Sequence, residues 1–244
     1  MISRPRALAL AALIVGLVVF GAVASRLPGL SQDGAILVAS LVVLPALLAS
    51  VWLALPLAQT RDWLLLAAAV LTGLAWVGFY LLDLDQLANV SKLVAFILFG
   101  FWFLSLFEAL WWLTIVAFLV PWVDIWSVAF GPTKYVTEKQ PGAFEGISVA
   151  IHVPGETATA NIGPPDIVFF ALFLAAAQKF GLRVGLTWFS MTGLLSLTLI
   201  LVYFWDTSGL PALPAVCFGF LFANLDVLWR EARDAYAARG QEAK

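Results

Sequence analysis

Seven long apolar runs occupy most of this 244-residue chain and decide what it can fold into. They cover residues 7–25, 34–57, 63–82, 91–130, 165–180, 184–205 and 211–229. About 20 helical residues cross a hydrocarbon core about 30 Å thick, and lipid tolerates no unpaired backbone groups, so the runs predict transmembrane helices. Only 11% of the residues are charged, against about 25% in soluble domains, which excludes a fold solvated by water.

The run at 91–130 is too long for a single crossing. As one helix it would measure about 60 Å, twice the thickness of the hydrocarbon core. We therefore predict a break near Glu108, which brings the count to eight transmembrane helices. No internal repeat or long linker divides the chain, so we predict an all-α polytopic membrane protein with one transmembrane domain, residues 1–244. Residues 131–163 form its one substantial extramembrane loop.

Charge and composition exclude several classes of partner and cofactor. The net charge of −2, with no Lys/Arg cluster beside an aromatic groove, excludes nucleic acid as a partner. His152 is the lone histidine and Cys217 the lone cysteine, so we predict no metal site and no cofactor. With the N-terminus inside, nine of the 13 basic residues fall on the cytoplasmic side and four, Lys92 among them, outside, as the positive-inside rule requires.

Two acidic residues within the apolar runs need a compensating reason, because a carboxylate near the bilayer centre costs about 2.5 to 3.5 kcal/mol. Asp124 lies six residues before the end of its run, or about 9 Å along a helix. Asp166 lies in the first turn of the next one. One loop joins these two helices on one side of the membrane, so both carboxyl groups are predicted to lie in the same half of the bilayer.

Paired carboxyl groups can perform peptide hydrolysis, since one keeps its proton while the other acts as a base toward a shared water. Two membrane aspartates are equally typical of a proton relay or a cation site in a transporter. Asp166 alone also has a structural explanation, because an acidic residue is stabilised beside a helix N-terminus. Asp124, in the middle of its helix, has no such explanation.

Three motifs resemble those of the presenilin and signal-peptide-peptidase family of intramembrane aspartyl proteases. The first is Val123-Asp124 followed by Gly131-Pro132 and Val136-Thr137-Glu138. The second is Gly163-Pro164-Pro165-Asp166 with Phe169-Phe170, which is similar to the family's Gly-x-Gly-Asp motif. The third is Leu210-Pro211-Ala212-Leu213-Pro214, which is similar to its Pro-Ala-Leu signature. The three occur in the family's order and span about residues 120–220.

The resemblance implies a presenilin-like bundle that cleaves transmembrane segments of other proteins, with nine helices in the family where eight are counted here. It implies that Asp124 and Asp166 are catalytic. It further implies that substrate is bound by Gly163, Pro211, Ala212 and Leu213.

The implied partners are helical membrane-protein substrates and the lipid bilayer, and the expected location is the plasma membrane of a prokaryote. Two positions depart from the family: Pro165 replaces the second glycine, and Val123 replaces a tyrosine. A catalytically inactive scaffold, in which Pro165 closes the cleft, and a proton-coupled transporter are the alternatives.

The loop at 131–163 contains a strand pattern. Ile147, Val149, Ile151 and Val153 alternate with more polar residues and end at Pro154-Gly155. Helical substrates hide their scissile amides in hydrogen bonds, so we hypothesise that this strand pairs with an unwound substrate.

Overall fold

The computed structural model describes residues 2–28, 30–131, 135, 139, 141–205 and 210–242. Its helices are α1 (Arg4–Val23), α2 (Gln32–Val38), α3 (Leu44–Ala54), α4 (Asp62–Leu81), α5 (Asp85–Phe103), α6 (Leu110–Phe130), α7 (Pro141–Ile147), α8 (Pro164–Lys179), α9 (Val184–Phe204) and α10 (Leu213–Glu242). A π-helical turn, Ala39–Val43, makes α2 and α3 nearly continuous. Two strands, β1 (Val149–His152) and β2 (Thr159–Ile162), form an antiparallel hairpin.

Among the described residues, seven helical segments are long and apolar enough to cross a bilayer. They are Arg4–Arg26, Gln32–Gln59, Asp62–Leu81, Asp85–Leu106, Leu110–Phe130, Val184–Phe204 and Leu213–Glu231. The protein is therefore a multi-pass, predominantly helical membrane protein, as the apolar runs predict. The remaining predicted crossing corresponds to α8, whose 16 residues make it shorter than the other seven.

The break in the long apolar run lies where the sequence predicts it. The helical segment that contains α5 tightens into a 3₁₀ turn at Leu104–Leu106 and ends there. Glu108 lies in the non-helical link, and α6 begins at Leu110. The Lys179 ammonium donates a hydrogen bond to the Phe107 carbonyl at 2.9 Å, which satisfies a backbone acceptor that the break leaves without a helical partner.

Helix α8 lies at the centre of the bundle and is packed against α5, α9 and α10. It is apolar on every side, and its consecutive residues 170–177 are all buried. A helix that is hydrophobic all round belongs inside a bundle, where neighbouring helices shield it from lipid. Asp166 is therefore carried by the most enclosed helix of the protein.

Two glycines allow the closest helix contacts around this centre. A Cβ atom at Gly100 on α5 would lie 2.5 Å from the Val168 carbonyl oxygen on α8. A Cβ atom at Gly219 on α10 would lie 2.5 Å from the Met191 Cα atom on α9. Small residues at such crossings let helix backbones approach and pack tightly in lipid.

The hairpin is built into the bundle rather than hanging from it. Val149 and Ile151 are buried on the face of β1 that packs inward, and β1 lies against α5. Gly155, at the hairpin turn, has a φ of +80°, and its N–H donates to the Ala24 carbonyl at the end of α1 at 2.8 Å. The predicted strand is thus confirmed at Val149–His152, whereas Ile147, which the pattern included, is the last residue of α7. The partner strand β2 is one that the sequence pattern does not show.

Candidate functional site

Asp124 is the one acidic residue on α6 and continues the stripe by which that helix packs. The buried residues Leu113, Ala117 and Pro121 recur at helical spacing, and Asp124 follows Pro121 by three positions. The Asp124 side chain is half-buried, whereas its neighbour Val123 is 64% exposed on the outer surface of the bundle. The carboxyl group therefore faces the protein interior while the flanking residues face lipid.

The Asp124 carboxylate accepts a hydrogen bond from the backbone N–H of Leu213 at 3.1 Å. Leu213 is the first residue of α10, so its N–H is one of the donors that a helix leaves without an internal partner. A negative charge is also favoured at this end of the helix dipole. One contact thus joins the first predicted motif to the third.

Asp166 occupies the first turn of α8 and folds back over its start. Its Oδ2 atom accepts a hydrogen bond from the Gly163 N–H at 3.1 Å. A Cβ atom on Gly163 would lie 3.2 Å from that same oxygen, so the absence of a side chain at Gly163 lets the carboxyl group approach closely. Pro164 and Pro165 begin the helix, where their missing N–H groups cost no helical hydrogen bond.

Helices α6 and α8 pack against each other, and they carry the two carboxyl groups into the same part of the bundle. Asp124 and Asp166 lie within electrostatic range of each other and of the Cys217 thiol. Cys217 is fully buried one turn after Leu213, on the face of α10 that looks toward the carboxyl groups. The place of Cys217 near both aspartates could not be predicted from the sequence, because its spacing from Leu213 gains meaning only once Leu213 is known to contact Asp124.

The other predicted site residues fall around this pair. Gly163 and Leu213 each donate a backbone hydrogen bond to one of the carboxylates. Pro211 and Ala212 are half-buried and non-helical, immediately before α10, and the Ala212 carbonyl accepts from the first-turn amide of Ala215 at 3.0 Å. Of the first motif's continuation, Pro132 and residues 136–138 lie outside the described residues.

Pro165, the departure from the family's second glycine, is exposed. Its ring is therefore not buried among the residues packed around Asp166.

The hairpin of β1 and β2 immediately precedes Gly163, whose N–H bonds to Asp166. β1 has β2 on one side, and on the other side the Asn89 side chain of α5 pairs with both backbone groups of Ala150, at 2.8 and 3.0 Å. Since Ala150 points its backbone groups away from β2, antiparallel alternation makes Ala150↔Asn161 a pair without mutual hydrogen bonds. The N–H and C=O of Asn161 therefore point outward from the hairpin. Within the described residues, the outer edge of β2 has no strand partner.

His152 ends β1 and pairs with α5 as well. Its Nε2 atom lies 3.1 Å from the Gln86 side-chain nitrogen, and burial lowers the pKa of the His152 imidazole. In the part of the chain that the structure describes, no three His, Cys, Asp or Glu side chains come together as metal ligands would.

The chain was compared with protein-family models, with curated proteins and with solved structures. No family model matches it, and no curated protein or solved structure matches it either.

Proposed function

We propose that this protein is an intramembrane aspartyl protease that hydrolyses peptide bonds within transmembrane segments of other proteins. The observation that carries the proposal is the proximity of Asp124 and Asp166, from two different helices, with the backbone amide of Leu213 bonded to Asp124. Two acids placed at this depth are costly unless they interact with each other and with backbone donors. The same proximity, together with the three motifs in order, supports membership of the presenilin and signal-peptide-peptidase family.

The chemistry follows from like charges that cannot both ionise cheaply when they share a site. The ionised carboxylate takes a proton from water as the water oxygen bonds to the scissile carbonyl carbon, and the neutral carboxyl group gives its proton to the carbonyl oxygen. The first carboxyl group then passes its proton to the nitrogen as the C–N bond breaks, and the second recovers a proton from the diol. The products are one carboxyl and one amine terminus, and no cofactor takes part. The titration belongs to the pair and not to either residue.

The hairpin suggests how the substrate is presented. The sequence pattern suggested that the substrate pairs with β1. We place the incoming strand on β2 instead, because β1 is paired on one side by β2 and on the other by Asn89. β2 ends at Ile162, and Gly163 follows it directly with its N–H on Asp166. A substrate segment paired along Asn161 would be led straight toward the two carboxyl groups. Pairing of this kind also exposes a scissile amide that a helix would hide.

The remaining parts of the proposal concern architecture and location. We count α8 as an eighth membrane helix, enclosed by its neighbours, in a presenilin-like bundle of one domain. The substrates are single helical segments of membrane proteins, met within the bilayer, and the expected membrane is the plasma membrane of a prokaryote.

The direct test compares the purified protein in lipid vesicles with two variants, Asp124→Asn and Asp166→Asn, on a labelled helical peptide. Loss of either carboxylate removes the base or the acid, so each variant should release no fragment while the unaltered protein does. Asp62→Asn, at the exposed start of α4, is the matched control and should cleave normally.

The same preparation separates the alternatives. If the unaltered protein releases no more fragment than Asp124→Asn, the protease proposal is lost. A peptide that still binds without cleavage then favours the scaffold. A pH gradient that drives solute uptake, and that Asp124→Asn abolishes, favours the transporter.

A further inference from the structure

Three polar residues on one side of α5, Gln86, Asn89 and Lys92, face the hairpin in steps of three positions. We call them the α5 ladder. Lys92 is only 6% exposed, within a helix otherwise apolar enough to cross the membrane. A buried ammonium in such a helix is expensive, so it requires a specific set of acceptors.

The residues of the α5 ladder bond at successive points along β1 and the residues just before it. The Lys92 ammonium donates to the Ser148 carbonyl and, at 3.3 Å, to the Gly146 carbonyl. Asn89 donates to the Ala150 carbonyl and accepts from the Ala150 N–H. Gln86 contacts the His152 ring at 3.1 Å.

The α5 ladder thus provides the hydrogen bonds that a third strand would provide to the free edge of β1. The Asn89 carboxamide carries the same donor and acceptor as a peptide group, so it satisfies Ala150 as a neighbouring strand would. Lys92 donates to two carbonyls at the point where α7 ends and β1 begins, so these carbonyls need no hydrogen bond from a neighbouring strand. In the described part of the chain, Lys92 forms no ion pair, and its hydrogen bonds go to the backbone carbonyls just before β1.

From this geometry we propose that Asn89 and Lys92 are positioning residues for catalysis, holding the hairpin so that β2 and Gly163 present a fixed edge beside Asp166. The proposal rests on the proposed protease function. Neither residue touches the carboxyl groups; both act through β1, which is hydrogen-bonded to β2, which continues into the Gly163 amide that holds Asp166. Loosening β1 should therefore misplace the substrate edge and Asp166 together.

The test uses Asn89→Leu and Lys92→Met, which keep side-chain size and remove the hydrogen bonds. Thr72→Val on the neighbouring α4 is the matched control, because within the described residues the Thr72 hydroxyl bonds only to carbonyls of its own helix. Amide hydrogen exchange in lipid nanodiscs reads the order of the hairpin, and kcat and KM are measured on the labelled helical peptide.

Both ladder variants should raise exchange at 149–152 and 159–162 about tenfold, leave exchange in α8 unchanged, and lower kcat about tenfold or more. Lys92→Arg, which can still donate to the carbonyls, should recover most of the lost kcat. A merely structural role would instead lower the folded fraction, and the kcat per folded molecule would stay normal.

The outcomes are distinguishable. Unaltered exchange in the hairpin of both variants overturns the inference, as does a loosened hairpin with normal kcat and KM. If the unaltered protein cleaves no more than Asp124→Asn, the protease function itself fails and the catalytic role of the α5 ladder fails with it, whereas the exchange measurement still shows whether the ladder holds the hairpin.

Discussion

Replacing Asn161 with proline tests whether an extended substrate pairs with the outer edge of β2. The Asn161 N–H points away from β1, so its removal costs the hairpin no internal hydrogen bond. Proline also restricts the preceding Ala160 to extended conformations, which that residue already adopts in the strand. We therefore expect the thermal midpoint of Asn161→Pro to stay within about 2 °C of the unaltered protein.

The catalytic effect should be much larger than the effect on stability. In an antiparallel pair, the outward N–H and C=O of one residue bond to the same residue of the incoming strand. The proline ring removes the donor and crowds that approach, so about two hydrogen bonds are lost, worth about 2 kcal/mol together. That corresponds to about a thirtyfold decrease in kcat/KM for the labelled peptide.

Two further variants isolate the backbone contribution. Asn161→Ala removes the side-chain amide but keeps the N–H, and should retain most of the activity. Ala160→Pro removes an N–H that points toward Ile151 on β1, and should lower both the thermal midpoint and turnover. Strand addition at β2 is refuted if Asn161→Pro keeps kcat/KM within about twofold, or loses no more than Asn161→Ala does.

Three other perturbations follow from single contacts. Gly100→Ala should lower the free energy of unfolding by about 1–3 kcal/mol in denaturant titration, since the new Cβ would overlap an α8 carbonyl, while Gly73→Ala, which meets nothing within 4 Å, should not. Gly163→Ala should lower kcat several-fold with an unchanged thermal midpoint, because the methyl group would push against the Asp166 carboxyl oxygen 3.2 Å away. Burial holds the pKa of His152 below its ordinary 6.5, so the unfolded chain takes up the proton first as the pH falls. The contribution of His152 to stability should therefore be full above about pH 6.5 and decrease below it. Thermal melts across pH should show a shallower decline for His152→Gln than for the unaltered protein.

Structural features that depend only on the local sequence were predictable. Apolar runs gave the helices, because the bilayer demands a minimum length and full backbone pairing. The break at Glu108 followed from length alone, and β1 followed from alternation of Val149 and Ile151 with smaller or polar residues. Connectivity predicted only that Asp124 and Asp166 lie in the same half of the bilayer, since one loop joins their helices on one side. Their electrostatic interaction was implied by the family resemblance alone.

Features that depend on a distant partner were not predictable. β2 has the sequence Thr-Ala-Asn-Ile, too short and polar to show a strand pattern, and it is a strand because β1 lies beside it. Lys92 counts in the charge distribution as one more residue on the outer side, whereas the structure uses it to hold backbone carbonyls. A signal was present in Gln86, Asn89 and Lys92, whose spacing places three polar groups on one face, but their partner could not be read from α5 alone.

With α8 as the proposed eighth membrane helix, the depth of the carboxyl groups accounts for its short length. Asp124 lies six residues before the end of α6, or about 9 Å along its axis. Asp166 interacts with it from the first turn of α8, so α8 begins about that far inside the end of α6. Its 16 residues add about 24 Å, and the two lengths together match the hydrocarbon core of about 30 Å. Because Leu213 contacts Asp124, the non-helical residues before α10 lie at the same depth, where irregular backbone is tolerated only beside a cavity.

Water access at that depth can be measured with introduced thiols. Ala212→Cys places a thiol on the non-helical segment before α10, and Val123→Cys places one at similar depth on the lipid-facing side of α6. Only a thiolate in water reacts with a charged, membrane-impermeant maleimide, so Ala212→Cys should be labelled and Val123→Cys should not. The unaltered protein, whose single cysteine is fully buried at Cys217, supplies the blank. An unlabelled Ala212→Cys would mean that no aqueous pocket reaches the carboxyl groups, and hydrolysis at this site would then lack its second substrate. Equal labelling of the two variants would mean that Val123 faces water as well, which contradicts its place on the lipid-facing side.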